Sequence, residues 1–279
     1  MTHKIPIKLF EIENKFFTIK NADTDKNFVN IIYLDMQQST QTESQYPTIL
    51  SPTIFQKTFK FSPINILITR NFMSNYKDEI ILLYNNIKNI ILTDFFKKAL
   101  ILGEQHSLIN IKFDIDVSEI KKDSKHIGQT IINRLANASH YIAAEGRIGP
   151  AQWFVSNNKT YNYILSYMTD LGLDYNSDGQ LLIGNAPFII DELIDDDVIL
   201  LGRKNVIEQA GIHCIMRTDS DSNIIFQEYS GIGGDVNFTM QYAMDYVGSK
   251  PCLQYFKINT RSIGYYRKQK LKRIKELYE

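Results

Sequence analysis

The sequence predicts an α+β fold, in which helices and short strands follow one another without a regular alternation. Two observations lead to this prediction. Apolar residues recur at helical spacing over an unusually long stretch, residues 75–102, and residues 179–219 read as short strands separated by turns rich in glycine and aspartate. The 279-residue chain shows no internal repeat and no linker rich in glycine and serine. We therefore expect interlocked domains without a clean boundary between them.

The composition indicates a globular protein without a global electrostatic field. Hydrophobic residues make up 44% of the chain and charged residues 22%, and 31 basic residues balance 31 acidic ones. Because the formal net charge is zero, nucleic acid or an anionic membrane would need a local basic patch to bind. The two cysteines, Cys214 and Cys252, form no CxxC pair, which favours buried thiols in a reducing compartment.

The N-terminal residues do not have the pattern of a signal peptide, because charges interrupt the apolar residues of MTHKIPIKLFEIENKFF. The longest apolar cluster, residues 80–92, is interrupted by asparagines and a lysine, which a membrane-spanning helix rarely tolerates. We expect a protein that is soluble and cytoplasmic at synthesis, with no membrane partner.

Residues 28–61 predict an extended two-stranded hairpin. Two β-prone pieces, VNIIYL and TIFQKTFKF, flank a middle rich in serine, threonine and glutamine. Pro47 and Pro52 interrupt this region, where a central strand would need its backbone donors. Such an arm has little core of its own, so we expect a neighbour to cover it.

Two long helices are predicted after the hairpin. The first is capped by Ser74 or Asn75, has acidic residues in its first turn and ends near Leu102, before a glycine. At about 1.5 Å per residue this helix is about 40 Å long. The second helix covers residues 128–145, and a short strand at residues 108–117 precedes it.

Further elements complete the pattern. Residues 151–157 form an apolar strand with Trp153 as a core anchor, and residues 160–173 are helical. Residues 236–259 have the pattern of a closing antiparallel pair, although residues 240–247 also fit a helix. The basic stretch after Ile263 has a helical pattern and is interpreted as a solvated helix end.

No motif of a catalytic or cofactor site occurs in the sequence. The P-loop, the dinucleotide-binding glycine pattern, HExxH, GxSxG and the cysteine and histidine spacings of zinc sites are all missing. The glycine loop at residues 231–235 lacks the lysine of a phosphate site, so we interpret it as a turn. We therefore expect no catalytic residue and no cofactor.

One cluster of acidic residues is the basis for an alternative function, that of an enzyme with a divalent cation. Its carboxylates are dense enough for a divalent cation but lack the alternating ligands of a calcium loop, so a solvated turn is the preferred interpretation of Asp191, Glu192, Asp195, Asp196 and Asp197. The histidines show no metal-ligand spacing, and we expect His140 and His213 to be packing residues. We predict no metal site, and an enzyme dependent on a divalent cation is the less favoured alternative.

One long segment resembles the major capsid proteins of tailed bacteriophages, the Johnson-fold family, and most of all those of contractile-tailed phages. IINRLANASHYIAAEGRIGPAQWFVSNNKTYNYI, residues 131–164, is similar to that family's helix, small-residue and arginine loop, G-N-F-hydrophobic-V-S strand and following helix. Gln152 and Trp153 take the place of the usual asparagine and aromatic residue. Downstream, IGNAPFIIDELIDDDVILLGRKNVIEQAGIHCIM resembles the family's strand, acidic turn and D-D-V-L-L-G strand.

This resemblance implies a domain order. The implied parts are an N-terminal arm at residues 1–26, an extended hairpin loop at 27–61, a peripheral domain at 62–126 with its spine helix at 75–102, an axial domain at 127–234, and a return to the peripheral domain with a C-terminal tail at 235–279. The chain is short for a relative that carries an N-terminal scaffolding segment, so we expect any scaffolding protein to be separate.

The function that the resemblance implies is structural. We expect a major capsid protein, not an enzyme, that assembles with itself into pentamers and hexamers of an icosahedral phage head around double-stranded DNA. Its expected location is the virion, its expected partners are a portal, decoration proteins and a scaffolding protein, and DNA would be contacted without sequence specificity. Alternatives with the same fold are a minor capsid or vertex protein and the shell of a nanocompartment.

The predicted contacts between subunits lie on the arm and in the axial domain. On the hairpin they are Tyr33, Ile49, Phe55 and Phe59. In the axial domain they are Arg147 and the acidic loop formed by Asp195, Asp196 and Asp197.

Overall fold

The structure is a computed structural model that describes residues 2–37, 51–69, 76–106, 124–146, 149–168, 171–204, 211–230, 235–247 and 253–258. In chain order the elements are β1 (Thr2–Pro6), α1 (Ile7–Glu13), β2 (Thr18–Ala22), β3 (Phe28–Gln37), β4 (Ser51–Lys60), β5 (Ser62–Thr69), α2 (Tyr76–His106), α3 (Ser124–Gly146), β6 (Trp153–Ser156), α4 (Asn158–Leu165), β7 (Leu182–Ile183), β8 (Ala186–Ile190), β9 (Val198–Gly202), β10 (Gly211–Arg217), β11 (Asn223–Ser230), β12 (Asp235–Val247) and β13 (Leu253–Lys257).

The chain divides into two compact units. Unit 1 consists of Met1–Lys98 and Lys204–Lys250, and unit 2 consists of Ala99–Arg203 and Pro251–Glu279. The division differs from the implied domain order, because β10 and β11 lie in unit 1 although they fall within residues 127–234. Pairing explains the difference: β10 is joined to β2 and to β12, and both of these partners are distant in sequence.

Unit 1 contains a mixed sheet of six described strands. Its path is β1-β11-β12-β10-β2, and β5 also pairs with β12. The pairing of β2 with β10 is parallel, whereas the other pairings in this sheet are antiparallel. Burial alternates along β5, where Ile64, Ile66 and Ile68 are buried and Leu67 is exposed. The N-terminal residues, expected as an arm, thus contribute two strands to this sheet.

Helix α2 is longer than the sequence predicted. It continues through Gly103 to His106, since an isolated glycine lowers helix stability by only about 1 kcal/mol relative to alanine. Its buried side chains follow one stripe, Leu83, Ile87, Ile91 and Phe95. Phe95 packs against Phe17, with 4.8 Å between the ring centroids, which fixes the part of the helix that belongs to unit 1 beside the start of β2.

Strands β3 and β4 form the predicted extended hairpin. They pair antiparallel from Phe28 opposite Lys60 to Gln37 opposite Ser51. Pro52 lies within β4, opposite Met36. The tip of the hairpin, including Pro47, lies outside the described residues, as do the strand expected at 108–117 and the basic C-terminal stretch.

Unit 2 is built on a second sheet, with the path β13-β9-β6-β8-β7. Its core joins apolar residues of α3, such as Leu135 and Ile142, to Phe154, Phe188 and Phe256 of the sheet. Trp153 is 1% exposed, so the prediction of a core anchor is confirmed. Helix α4 is shorter than expected because turns begin at Ser166.

Two expectations about single elements are wrong. Residues 235–247 form one strand, and β12 does not pair with β13, which pairs with β9 instead. His213 is buried at 1% exposure, as expected, but His140 lies on the exposed face of α3 and is no packing residue. Helical periodicity explains this, since His140 is two positions away from the buried Ala138 and Ile142.

Candidate assembly surfaces

The inner face of the hairpin, which carries Phe59, packs against the six-stranded sheet of unit 1. Phe59 is 1% exposed and belongs to a small core cluster with Ala22 of β2, Ile215 of β10 and two residues of β12. Val29, Ile31 and Tyr33 of β3 pack against the same cluster. The hairpin base is therefore part of the subunit's own core.

Lys57 adds a polar attachment on this inner face. Its Nζ donates a hydrogen bond to the carbonyl oxygen of Tyr246 at 2.6 Å and lies 2.9 Å from the Asp245 carboxylate. Both partners are in β12. A lysine at this position thus fixes the hairpin base to the main sheet by a charge-assisted contact.

The outer face of the hairpin is exposed. Phe28 is 40% exposed and Ile32 is 60% exposed. Gln56, which lies opposite Ile32, and Lys60, which lies opposite Phe28, are exposed as well. Between Phe28 and Ile32, Thr58 Oγ1 donates to Asn30 Oδ1 across the two strands at 2.7 Å.

A second exposed apolar surface, which we call the α1–α2 groove, also lies in unit 1. It has a volume of about 240 Å³ and is lined by Ile5, Leu9, Ile80, Ile81 and Tyr84. Leu9 is 48% exposed and Ile81 is 50% exposed. Scattered apolar residues are normal on a surface, but a lined concavity with several of them indicates a contact site.

The acidic cluster of unit 2 is organised around the start of α4. Asn157 caps this helix by accepting a hydrogen bond from Thr160 N, and its amide donates to Asp196 Oδ1 at 2.7 Å. Lys159 forms a salt bridge with Asp196. Lys159, and then Asn157, hold the pKa of the Asp196 carboxyl below its usual value, and Asp196 in turn raises the pKa of Lys159.

The other acidic residues of the loop have separate local partners. Asp191 Oδ1 accepts the Leu193 N–H at 3.0 Å, and Glu192 Oε1 accepts the Asn158 N–H at 3.3 Å. Asp197 has a φ of 64° and donates its N–H to Thr160 Oγ1. Among the residues that the structure describes, no three His, Cys, Asp or Glu side chains form a group that could hold a metal ion.

The residues that were predicted to contact another subunit differ in their position and exposure. Tyr33 and Phe59 lie on the inner face of the hairpin, whereas Asp195 and Asp196 are exposed and Asp197 is half-buried. Phe55 has a described backbone position in β4, opposite Tyr33. Ile49 and Arg147 lie outside the described residues.

Sequence reasoning missed the exposed apolar residues of unit 1. Phe28 and Ile32 alternate with Val29, Ile31 and Tyr33, but both sets are apolar, so the sequence does not show which set faces the core. Leu9 could not be assigned because α1 has only seven residues. The register and the fold together supply this information.

Comparison with known proteins shows similarity of structure alone. No family model matches the chain, and no curated protein sequence does. The mature capsid of bacteriophage PhiM1 has a subunit that is similar with a TM-score of 0.51 at 8% identity, over 88% of this chain and 87% of that one. A virus-like particle from Pyrococcus furiosus (TM-score 0.46, 13% identity, 90% and 95% coverage) and the SrpI encapsulin of Synechococcus elongatus (0.48, 10%, 91% and 87%) also match.

The similarity to the PhiM1 capsid confirms the fold class. The chain has the α+β phage major capsid (Johnson) fold that the segment at residues 131–164 predicted. At 8% identity the comparison shows the fold and leaves the function to be argued. Within the described residues, no helix combines the length and the apolar character needed to span a membrane.

Proposed function

We propose that this chain is a major capsid protein, a structural subunit that assembles with copies of itself into the icosahedral head of a tailed phage. The observation that carries the proposal is the similarity to a mature phage capsid subunit over nearly nine-tenths of both chains. Because the match covers 88% of this chain and 87% of that one, a single shell fold accounts for most of the chain.

The surface of unit 1 supports self-association. The outer hairpin face and the α1–α2 groove expose large apolar side chains that a monomer would leave in water. Burying apolar surface contributes about 25 cal/mol per Å², so covering both would favour association. In a shell, such modest contacts are repeated by symmetry.

The acidic loop remains part of the proposal. Asp195 and Asp196 are exposed, and the salt bridge to Lys159 holds Asp196 in a defined position. We propose that this loop meets Arg147 at a subunit contact in pentamers and hexamers. Tyr33, Ile49 and Phe55 remain candidate contacts, whereas Phe59 serves the subunit's own core.

The proposed location is the virion, where the shell encloses double-stranded DNA and contacts it without sequence specificity. Because the formal net charge is zero, contact with the DNA phosphates would depend on a local basic patch on the shell's inner surface. A portal, decoration proteins and a separate scaffolding protein are the proposed partners.

Electron microscopy with size-exclusion chromatography tests this function directly. The purified chain is imaged by negative stain, alone and with the products of its neighbouring genes. Rings, tubes or closed shells are expected, and a monodisperse monomer in every mixture would overturn the proposal. Shells recovered with DNA support a phage head, whereas shells that retain a protein cargo indicate a nanocompartment.

Calorimetry addresses the enzyme alternative. Magnesium or calcium is titrated into the chain and into an Asp191→Asn, Glu192→Gln variant. We expect no heat that depends on these two carboxylates, because among the described residues they belong to no group of three His, Cys, Asp or Glu side chains that could hold a metal ion. Binding heat that disappears in the variant would revive the alternative.

A further inference from the structure

One surface of unit 2 combines exposed aliphatic side chains with a dense group of carboxylates. Ile190 is 46% exposed and Leu193 is 43% exposed. A turn closed by the hydrogen bond from Ile194 N to the Asp191 carbonyl oxygen holds both in one short segment. The same segment carries the carboxylates of Asp191, Glu192, Asp195, Asp196 and Asp197. We call residues 190–197 the acidic surface.

The acidic surface keeps a net negative charge. The elements around it, β6, α4, β8, β9 and β13, contain two basic residues, Lys159 and Lys257, against five carboxylates. Lys159 is engaged with Asp196. Because the described carboxylates form no group of three that could hold a metal ion, an extended basic partner fits this surface better than a single cation.

Strand β13 brings the C-terminal part of the chain to the acidic surface. Lys257 pairs with Val198, and Ile258 N donates a hydrogen bond to the Asp197 carbonyl oxygen at 2.7 Å. Residues 259–279, which lie outside the described residues, therefore follow directly on a contact with this surface. A connection of five residues can span up to roughly 17 Å, so residues 263–279 are within reach of all of it.

The sequence of residues 259–279 complements the acidic surface in charge and in pattern. It contains seven lysines and arginines but only two glutamates. Among the basic residues, Leu271, Ile274 and Tyr278 recur at helical spacing. A basic segment with one apolar stripe matches a surface on which carboxylates surround two exposed aliphatic side chains.

We infer that residues 263–279 dock on the acidic surface of their own subunit. The basic side chains meet the carboxylates, and the apolar stripe covers Ile190 and Leu193. The same chain is the favoured source, because a short connection gives an effective concentration of about millimolar against which a free partner must compete. The basic stretch is then a bound segment, where the sequence alone favoured a solvated helix end.

Docking would regulate the subunit contact proposed for this loop. Asp195 is also the proposed partner of Arg147 in another subunit, so the segment and Arg147 compete for one carboxylate. A neighbouring subunit must therefore displace the segment before the ionic contact forms. This consequence rests on the proposed shell function, whereas docking within one chain does not.

Disulfide trapping within one chain tests the docking. A chain with Leu193→Cys, Ile274→Cys and Cys252→Ser is purified in unassembled form and oxidised at low concentration. Burial raises the pKa of the remaining Cys214 thiol, so it stays unreactive. An internal disulfide makes the denatured chain migrate faster on a non-reducing gel. The matched control replaces Leu193→Cys with Tyr175→Cys, on another turn of unit 2 at a similar exposure of 50%.

We expect the Leu193→Cys pair to close at least tenfold faster than the control at 0.1 M NaCl. At 1 M NaCl it should close at least threefold more slowly, because salt screens exposed ion pairs. Equal rates for the pair and the control would overturn the docking, and a rate independent of salt would overturn recognition by charge.

Two further outcomes would assign the segment to another partner and overturn the inference. Chains with Leu193→Cys alone and Ile274→Cys alone are mixed, and a dimer that forms as fast as the internal disulfide would place the segment on a second copy. Failure to close, together with binding of duplex DNA that is lost when residues 263–279 are deleted, would assign the segment to nucleic acid. Since the unassembled chain is measured, a failure to form shells would overturn the proposed function and leave the docking intact.

Discussion

Asp219 links the first strand of the chain to the turn that precedes β11. Its carboxylate lies 2.7 Å from Lys4 Nζ of β1. It also accepts the backbone N–H groups of Asp221 and Asn223, at 3.0 and 2.9 Å. The contact with Lys4 and then the hydrogen bond from Asn223 lower the pKa of Asp219 to about 2. One side chain therefore fixes both a turn and the N-terminal strand.

Asp219→Asn tests this link through its pH dependence. The folded pKa lies below the unfolded value of about 3.9, so the ionised carboxylate stabilises the fold above that value. This stabilisation is lost as the pH falls from about 4 towards about 2. We expect Asp219→Asn to lower Tm at pH 7 and the difference in Tm to shrink towards pH 2, as measured by circular dichroism.

A matched control for this experiment is Asp178→Asn, in an exposed turn of unit 2. It should leave Tm unchanged within error across the same range. A loss of Tm in Asp219→Asn that is equally large at pH 2 and pH 7 would contradict the role of the charge.

At the scale of elements, Gly128 determines how closely α3 approaches the turn after α4. A Cβ at this position would lie 2.1 Å from the Tyr167 carbonyl oxygen and 2.9 Å from Leu171 Cδ1. The first of these contacts is to backbone, which cannot move aside as a side chain can. Gly128 is thus required by packing, although glycine is a poor helix former.

We expect Gly128→Ala to destabilise unit 2. Alanine would gain about 1 kcal/mol in helix propensity, but the steric clash would cost about 1–3 kcal/mol or more, so the clash outweighs the gain. Urea unfolding would show a lower midpoint with an unchanged slope. Asn137→Ala, on the exposed face of the same helix, is the control and should be neutral or stabilising. A more stable Gly128→Ala variant would contradict the close approach.

The elements that the sequence predicted correctly are those whose pattern lies within one continuous stretch of the chain. The stripe Leu83, Ile87 and Ile91 identified α2, and the pair of β-prone pieces around the serine-rich middle identified the hairpin. Strand partners could not be predicted in the same way, because the pairing of β2 with β10 joins residues almost 200 positions apart. The exposed face of the hairpin depends on that sheet, which explains why Phe59 was expected at a subunit contact.

At the scale of the whole molecule, the two proposed kinds of contact respond differently to salt. The acidic loop with Arg147 would be an ionic contact, whereas the exposed Phe28 and Ile32 of the hairpin and the lining of the α1–α2 groove are apolar. Raising the ionic strength from 0.1 M to 1 M shortens the Debye length from about 10 Å to about 3 Å, which weakens exposed ion pairs. It does not weaken the burial of apolar surface.

We therefore expect assembled shells to persist in 1 M NaCl. Light scattering and sedimentation measure the fraction assembled at 0.1 M and at 1 M, and we expect a change of less than twofold. The control is an Asp195→Asn variant, which should assemble equally well at both salt concentrations. Dissociation of the unmodified shells at 1 M would mean that ionic contacts dominate instead.

The attachment of the hairpin base by Phe59 and Lys57 affects the entropy of association. Fixing the backbone of one residue costs roughly 1–2 kcal/mol at 25 °C, and for the base of this hairpin that cost is met when the subunit folds. The hairpin base then meets another molecule already ordered, so less of the contact energy is consumed in ordering it. A small apolar contact can consequently hold two subunits together. Because the contact is small, a misplaced subunit can still dissociate.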